Sequence, residues 1–368
     1  FLYRASPFYN GNSEYYSNFL DHDGEHFFSQ AYDKEKWKAA ADAADEAIAA
    51  CEQYGFQLYR FNKRTYDYDS VAVRENPDKM KTLYNLRMRI VERWNEEIIW
   101  GTTRLTTVNM SSLASIRKPA SYGGPAPSYD GLGYGGASYQ VMERYYTEHG
   151  LPLEEDRNVA PNSLHDIVTT PDENNPNYQF MQGFMQPGVS TVNMYLGREP
   201  RFYADLGITG GYYRSHQVRI NTTMFSGTDG GYDAAIHGSL YNPSGIAIQK
   251  NVHPESYFAG GLLSQIVAPY PIIRMAELYL IKAEALNEYS GPSQEVYDAL
   301  NVIRERAGIP KVEESYSNLE WVSDEAKDKH LDQLGMREII LRERANEYAF
   351  EGGHYFFDMQ RWKRSVVE

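Results

Sequence analysis

Glu277 and Glu284 stand seven residues apart, two turns along one helical face, with Arg274 one turn before Glu277. Two carboxylates facing a common space could share the acid and base work of glycoside cleavage. Carboxylates on one helix beside an arginine are better placed for ion pairs with neighbouring helices, and that is the role expected here. The same expectation covers Arg342, Glu343, Arg344, Glu347 and Glu351, and Asp358 with Arg361. Asp21–His26, DHDGEH, is the cluster with metal-ligand residue types. Gly24 works against a helix joining His22 to His26, so a solvated loop is expected there and no metal. Gly131–Gly136, GLGYGG, fits the spacing of a dinucleotide loop. That reading needs a strand before it and a helix directly after it. The preceding SYGGPAPSYD is a Pro/Gly/Tyr loop, so a mobile Tyr-bearing loop is expected instead, with Tyr122, Tyr129 and Tyr134 along it. No Ser–His–Asp order or H-E-x-x-H run stands out, and Cys51 lies inside an Ala-rich helical run. No catalytic residue and no cofactor is expected.

The aromatic residues offer binding chemistry instead. Tyrosine, with 31 copies, offers a flat apolar face and a polar tip, which suits protein interfaces and sugar faces alike. A sugar presents an apolar C–H face ringed by hydroxyls, so its site needs exposed flat aromatics and polar groups that bond in pairs. Trp100 ends the apolar pair Ile98–Ile99 where the chain enters a Gly/Tyr-rich region. Arg104 follows four residues on, which is the same face of a regular strand. The candidate ligand-binding set is therefore Trp100, Tyr122, Tyr129 and Tyr134 for stacking, with Arg104 for hydroxyls. Two bland alternatives stay open: Trp100 as a core residue closing a sheet, and the tyrosines as simple loop packing. Trp37, Trp94, Trp321 and Trp362 are expected in the core or at interfaces.

Helices must position these residues. Pro269–Pro310 reads as a helix over Ile272–Tyr289, a stop at Ser290-Gly291-Pro292, and a second helix over Ser293–Ala307. Ile273, Ala276, Leu280 and Ala283 form one stripe of the first helix; Val296, Leu300, Ile303 and Ala307 form the face of the second. Two antiparallel Ala-rich helices of this length resemble a tetratricopeptide unit. Residues 33–54 read as a helix with the stripe Trp37, Ala41, Ala44, Ile48 and Cys51, and residues 78–98 as another. Ile98–Val108 reads as a strand. Residues 101–260 hold 20 of the 29 Gly and 11 of the 17 Pro, so long loops and short strands are expected there. After a polar connection, Lys311–Lys329, a helical stretch over Leu334–Arg364 breaks at Gly352-Gly353.

The chain has 368 residues, 42% hydrophobic and 23% charged, enough for a well-packed fold. A net charge of -14 argues against a nucleic-acid or anionic-membrane surface. One cysteine excludes a disulfide framework. No apolar run reaches the roughly 18–20 residues of a membrane span. The chain opens on FLYRAS rather than Met and is expected to be a mature or partial product.

Four segments carry a resemblance: RMAELYLIKAEALNE with NVIRERAGIP; REIILRERANEYAFEGGHYFFDMQRWKR; REPRFYADLGITGG; and SYQVMERYYTEHGLPLEED. KWKAAADAADEAI and NEEIIWGTTR fit the same pattern. In that order they resemble the SusD/RagB family of outer-membrane nutrient-binding lipoproteins of Bacteroidota. The resemblance implies a mostly α fold, with tetratricopeptide-like helix pairs supporting a large loop-rich region with a few short strands. It implies one domain over 1–368, with a helical scaffold over about 32–98 and 270–364 and a ligand-binding region over about 99–268. It implies a lipid-anchored, outward-facing outer-membrane protein that captures oligosaccharides or other oligomers. These would pass to a SusC-like TonB-dependent transporter, which the protein covers as a lid. The family's lipidated N-terminal Cys, first helices and C-terminal tail find no counterpart in this chain, so part of the ligand platform is expected outside it. A SusD-like lid for peptides, a tetratricopeptide adaptor and a glycosidase remain as alternatives.

Overall fold

The computed structural model describes residues 1–61, 77–103, 135–176, 178, 181, 183–214, 219–222, 242–254, 257–259, 262–264, 266 and 268–365. The helices in chain order are α1 (Leu2–Ala5), α2 (Ser13–Tyr16), α3 (Glu35–Gln53), α4 (Pro77–Met88), α5 (Tyr139–Arg144) and α6 (Pro200–Asp205), then α7 (Met275–Ser290), α8 (Gln294–Ala307), α9 (Val312–Ser317), α10 (Gln333–Glu347) and α11 (His354–Arg361). The strands are β1 (Ile98–Thr102), β2 (Ile167–Thr169), β3 (Ser190–Val192), β4 (Leu206–Gly207) and β5 (Gly211–Arg214), then β6 (Arg219–Thr222), β7 (Ala247–Ile248), β8 (Tyr257–Ala259), β9 (Leu262–Ser264) and β10 (Tyr270–Arg274). Among the described residues the strands form two-stranded antiparallel ribbons only: β1–β10, β2–β3, β4–β7, β5–β6 and β8–β9. The fold is thus mostly α with short strands, as expected.

Helix α7 is the hub, and α3, α8 and α10 pack against it. Its Ala276, Leu280 and Ala283 meet Val296, Leu300 and Ile303 of α8 and Ile339 and Ile340 of α10. Each such fully buried aliphatic side chain contributes roughly 1.5–3 kcal/mol. On its other side, Ala285 meets Trp37, Ala40 and Ala41 of α3, where small alanines allow close approach. Trp37 stacks on Trp362 with centroids 5.8 Å apart. The α7–α8 junction forms as the turn residues require. Ser293 caps α8 by accepting the Val296 N–H at 3.4 Å, and Gly308 ends it in the left-handed region at φ 74°.

A second core lies under the loop-rich region. It joins Leu86 of α4, Met142 and Tyr145, Phe184 and Met185, and Phe202 and Tyr203 of α6. The described segments around α5 and α6 therefore rest on buried aromatics.

Three expectations need correction. Ile272 and Ile273 belong to β10, and α7 starts only at Met275. A short run of aliphatic residues fits helix and strand equally, and pairing with β1 decides for the strand. Helix α4 stops at Met88 instead of running to residue 98. Asn95 turns the chain there: its amide donates to the Arg89 and Glu92 carbonyls, and its side-chain oxygen accepts the Glu97 N–H. Trp94, next to that turn, adopts φ 48° and is 58% exposed, which excludes the core and leaves only the interface half of its expected core-or-interface role.

Candidate ligand platform on a buried ionic frame

The carboxylates and arginines singled out by type do form ion pairs between packed elements. Six cations, Arg89, Arg201, Lys250, Arg274, Arg304 and Arg306, meet six carboxylates, Glu97, Glu199, Asp205, Glu343, Glu347 and Glu351. All twelve are buried. Arg274 holds Glu97 at 2.6 Å, Glu347 at 2.7 Å and Glu351 at 2.8 Å. Glu347 also meets Arg306 and Arg89. Burial alone would raise the Glu347 carboxyl, but Arg306, Arg274, Arg89 and Arg201 together hold it well below the usual carboxylate range. Burial likewise opposes ionisation of Glu351, and Arg274 and Lys250 override it, holding the carboxyl down at about 2.

Arg274 does not pair with Glu277, its sequence neighbour. Glu277 instead approaches His354 at 3.9 Å. Glu284 and Glu277 also separate. Glu284 is buried and takes both the Arg361 guanidinium and the Trp362 indole N–H, the latter at 3.0 Å. Asp358 completes that second cluster, bonded to Arg344 at 2.9 Å and Arg361 at 2.8 Å.

The ionic frame roots the β1–β10 ribbon. Glu97 immediately precedes β1 and Arg274 ends β10, so their ion pair clamps the base of the ribbon. The Met275 N–H donates to the Glu97 carbonyl at 3.0 Å beside it. At the far end Tyr270 pairs with Thr102. Burial and the nearby Glu351 push the Tyr270 phenol up to about 12, so it stays a neutral hydroxyl. Trp100 projects from this ribbon and is 60% exposed, which excludes its role as a core residue. Two more apolar side chains are exposed at the ribbon: Trp94, and Ile272 at 39%. Gly101 keeps the two strands close: a Cβ there would lie 3.1 Å from the Tyr270 carbonyl oxygen.

The other candidate site residues, Arg104, Tyr122, Tyr129 and Tyr134, lie outside the described residues. Within β1, register shifts lie on both sides of Trp100. Of GLGYGG, only Gly135 and Gly136 are described. Gly136 pairs with Ala247, and a Cβ there would lie 2.5 Å from the Ser244 hydroxyl, so close chain packing explains this glycine. At DHDGEH the ligand-type atoms of Asp21, His22 and Asp23 lie within 4.8 Å of one another, without His26. Asp21 already accepts the Asp23 and Glu25 N–H groups at 2.9 Å, the bonding of a surface turn.

The SusD family model matches residues 96–368, well over half of the chain. The chain belongs to the SusD family. SusD-like protein P25 of Formosa agariphila is 37% identical over 91 residues, which are 25% of this chain and 15% of that protein. Among solved structures, BT4246 is 28% identical with a TM-score of 0.73, covering 99% of this chain and 58% of its own. A SusD-like protein from Bacteroides fragilis, BF3747, is 19% identical with a TM-score of 0.52, over 88% of this chain and 52% of its own. That last likeness concerns the fold alone. The chain spans 58% of the length of BT4246 and 15% of that of P25. Among the described residues no helix is long and apolar enough to cross a membrane.

Proposed function

We propose that this chain is a single SusD-like unit of a cell-surface protein that binds oligosaccharides and hands them to a SusC-like TonB-dependent transporter. It carries out no chemistry on them. In this reading the protein is an outward-facing outer-membrane lipoprotein, and Trp100 stacks on the ligand. Arg104 and the tyrosines at 122, 129 and 134 complete the site. The observation that carries the reading is the exposed Trp100 on a ribbon clamped to a buried frame: a flat aromatic held rigidly in water at little further cost in order on binding. Membership of the SusD family supplies the context.

Calorimetric titration of a glycan panel, with a peptide panel alongside, tests the reading on wild type and Trp100→Ala. Trp100→Ala is expected to weaken the true ligand about five- to 150-fold, the order of roughly 1–3 kcal/mol that stacking contributes. Unchanged affinity removes Trp100 from the site. Binding of peptides and of no glycan replaces the oligosaccharide by a peptide. Copurification of a large β-barrel tests the partner, and release of reducing ends by the pure protein refutes the non-catalytic role.

A further inference from the structure

Two adjoining cavities of about 390 and 400 Å³ open between α5, the loop after it and α10, and share Arg144, Glu154 and Arg342. The second is also lined by Lys329, Arg364 and Tyr355. Most of its charges are spoken for. Arg342 bonds Glu154 at 2.6 Å, Lys329 bonds Glu155 at 2.5 Å, and Arg364 grips Glu338 with two bonds. Arg144 is the exception: among the described residues no carboxylate pairs with it. Its guanidinium lies over the Tyr355 ring, 3.9 Å from the centroid, and Tyr355 is 45% exposed.

Arg144 is also fixed in place. The Arg198 guanidinium donates to the Met142, Glu143 and Tyr145 carbonyls, the loose end of α5. Asn346 of α10 donates to the Arg144 carbonyl at 3.1 Å. A partly buried cation without a counterion is costly, and burial accordingly lowers the Arg144 pKa. With Glu143 on the wall of the first cavity, the groove carries four cations and four carboxylates, and Arg144 is the one cation among them without a carboxylate partner, beside an aromatic ring.

We infer that this groove binds an acidic sugar residue, with its carboxylate or sulfate ester on Arg144 and its ring against Tyr355. One unpartnered guanidinium matches one anionic group. A second negative charge, as on a phosphate monoester, would meet no further unpaired cation, because Arg342, Lys329 and Arg364 are held by Glu154, Glu155 and Glu338. A planar guanidinium suits the paired oxygens of a carboxylate or sulfate. The choice of a sugar rests on the reading above; the charge match does not.

The test compares D-glucuronate, D-glucose 6-sulfate, D-glucose and acetate by ¹⁵N NMR of arginine-labelled protein, following the Arg144 side-chain resonance. The two acidic sugars are expected to shift it saturably, at concentrations at least tenfold below those needed for glucose or acetate. Their two arms separate a carboxylate from a sulfate source. Tyr355→Ala is expected to weaken both acidic sugars severalfold. Arg144→Gln is expected to abolish the preference in calorimetry, and Arg144→Lys to restore part of it. Acidic sugars that act no better than acetate, or that leave the Arg144 resonance unmoved, overturn the proposal. If neutral oligosaccharides still bind and depend on Trp100 but not on Arg144, the platform reading stands while this one falls.

Discussion

Arg274→Met removes the cation that links three carboxylates, and the ionic frame gives its cost. Arg274 is 2% exposed and bonds Glu97, Glu347 and Glu351. Met preserves most of the volume, so the change acts through charge. It leaves five cations against six carboxylates, with one buried negative charge uncompensated. Breaking a buried pair in this way costs roughly 3–5 kcal/mol. A second route gives a similar figure. If one carboxyl escapes by taking up a proton at pH 7 from an ordinary value near 4.5, the cost is about 3 kcal/mol at roughly 1.4 kcal/mol per pH unit. Against a typical total of about 5–15 kcal/mol, that is a large share.

Urea unfolding followed by far-UV circular dichroism at pH 7 measures this loss, and Arg364→Ala is the control. Arg364 is part exposed at Glu338, so its loss is expected to cost under about 1 kcal/mol. The Arg274→Met deficit is expected to shrink as pH falls towards 4.5, where protonating a carboxyl costs less. A deficit below about 1 kcal/mol at pH 7, or one independent of pH, refutes the claim that Arg274 balances buried charge.

Acid stability follows from the same frame. The folded value of Glu351, about 2, lies below its ordinary value, so its contribution is complete above about pH 5 and lost as pH falls towards 2. Glu351→Gln is expected to flatten the urea midpoint over that window. Gly150→Ala is expected to cost about 2–4 kcal/mol, since φ is 69° and a Cβ would lie 2.2 Å from Arg304 Nη2; Gly55→Ala, at φ 84° in open space, is expected to cost about 1–2. His149 bonds Asp156 at 2.8 Å, and that bond raises its pKa. The pair thus stabilises the fold below the ordinary histidine value and loses its effect as pH rises through the folded one. Asp156→Asn is expected to return the His149 titration in NMR towards the ordinary value.

The helices were legible because their apolar spacing repeats every turn and their stops are Gly and Pro. The stripe Ala276, Leu280 and Ala283 is buried as its spacing requires. Ile272 and Ile273 were misplaced because two adjacent isoleucines carry no period, and only the partner strand 170 residues earlier decides. Of the frame, only Arg274, Glu343, Glu347 and Glu351 were legible as ion-pairing residues; the other eight members and all the pairings were not. Glu97 meets Arg306 across 209 residues, a distance no local pattern spans. Trp94 and Trp100 differ from Trp37 and Trp362 in exposure alone, which is set by a turn at φ 48° and two strand irregularities.

The frame also weighs against a glycosidase. A general acid needs a carboxyl held up towards neutrality and open to a substrate oxygen. Glu347 and Glu351 are displaced the other way, held anionic by arginines. Among the described residues two carboxyls are raised. Burial raises Glu199, yet it is fully enclosed and bonded to Arg201 at 2.6 Å and to the Tyr146 N–H at 2.9 Å. Burial raises Glu288 as well, yet both its oxygens bind Arg337. Each raised carboxyl is thus already committed to an arginine. The groups that face water along the β1–β10 ribbon, Trp94, Trp100 and Ile272, cannot transfer a proton at all. Among the described residues, charge is buried where it braces, and apolar surface is exposed at the ribbon that the proposed binding role assigns to the ligand.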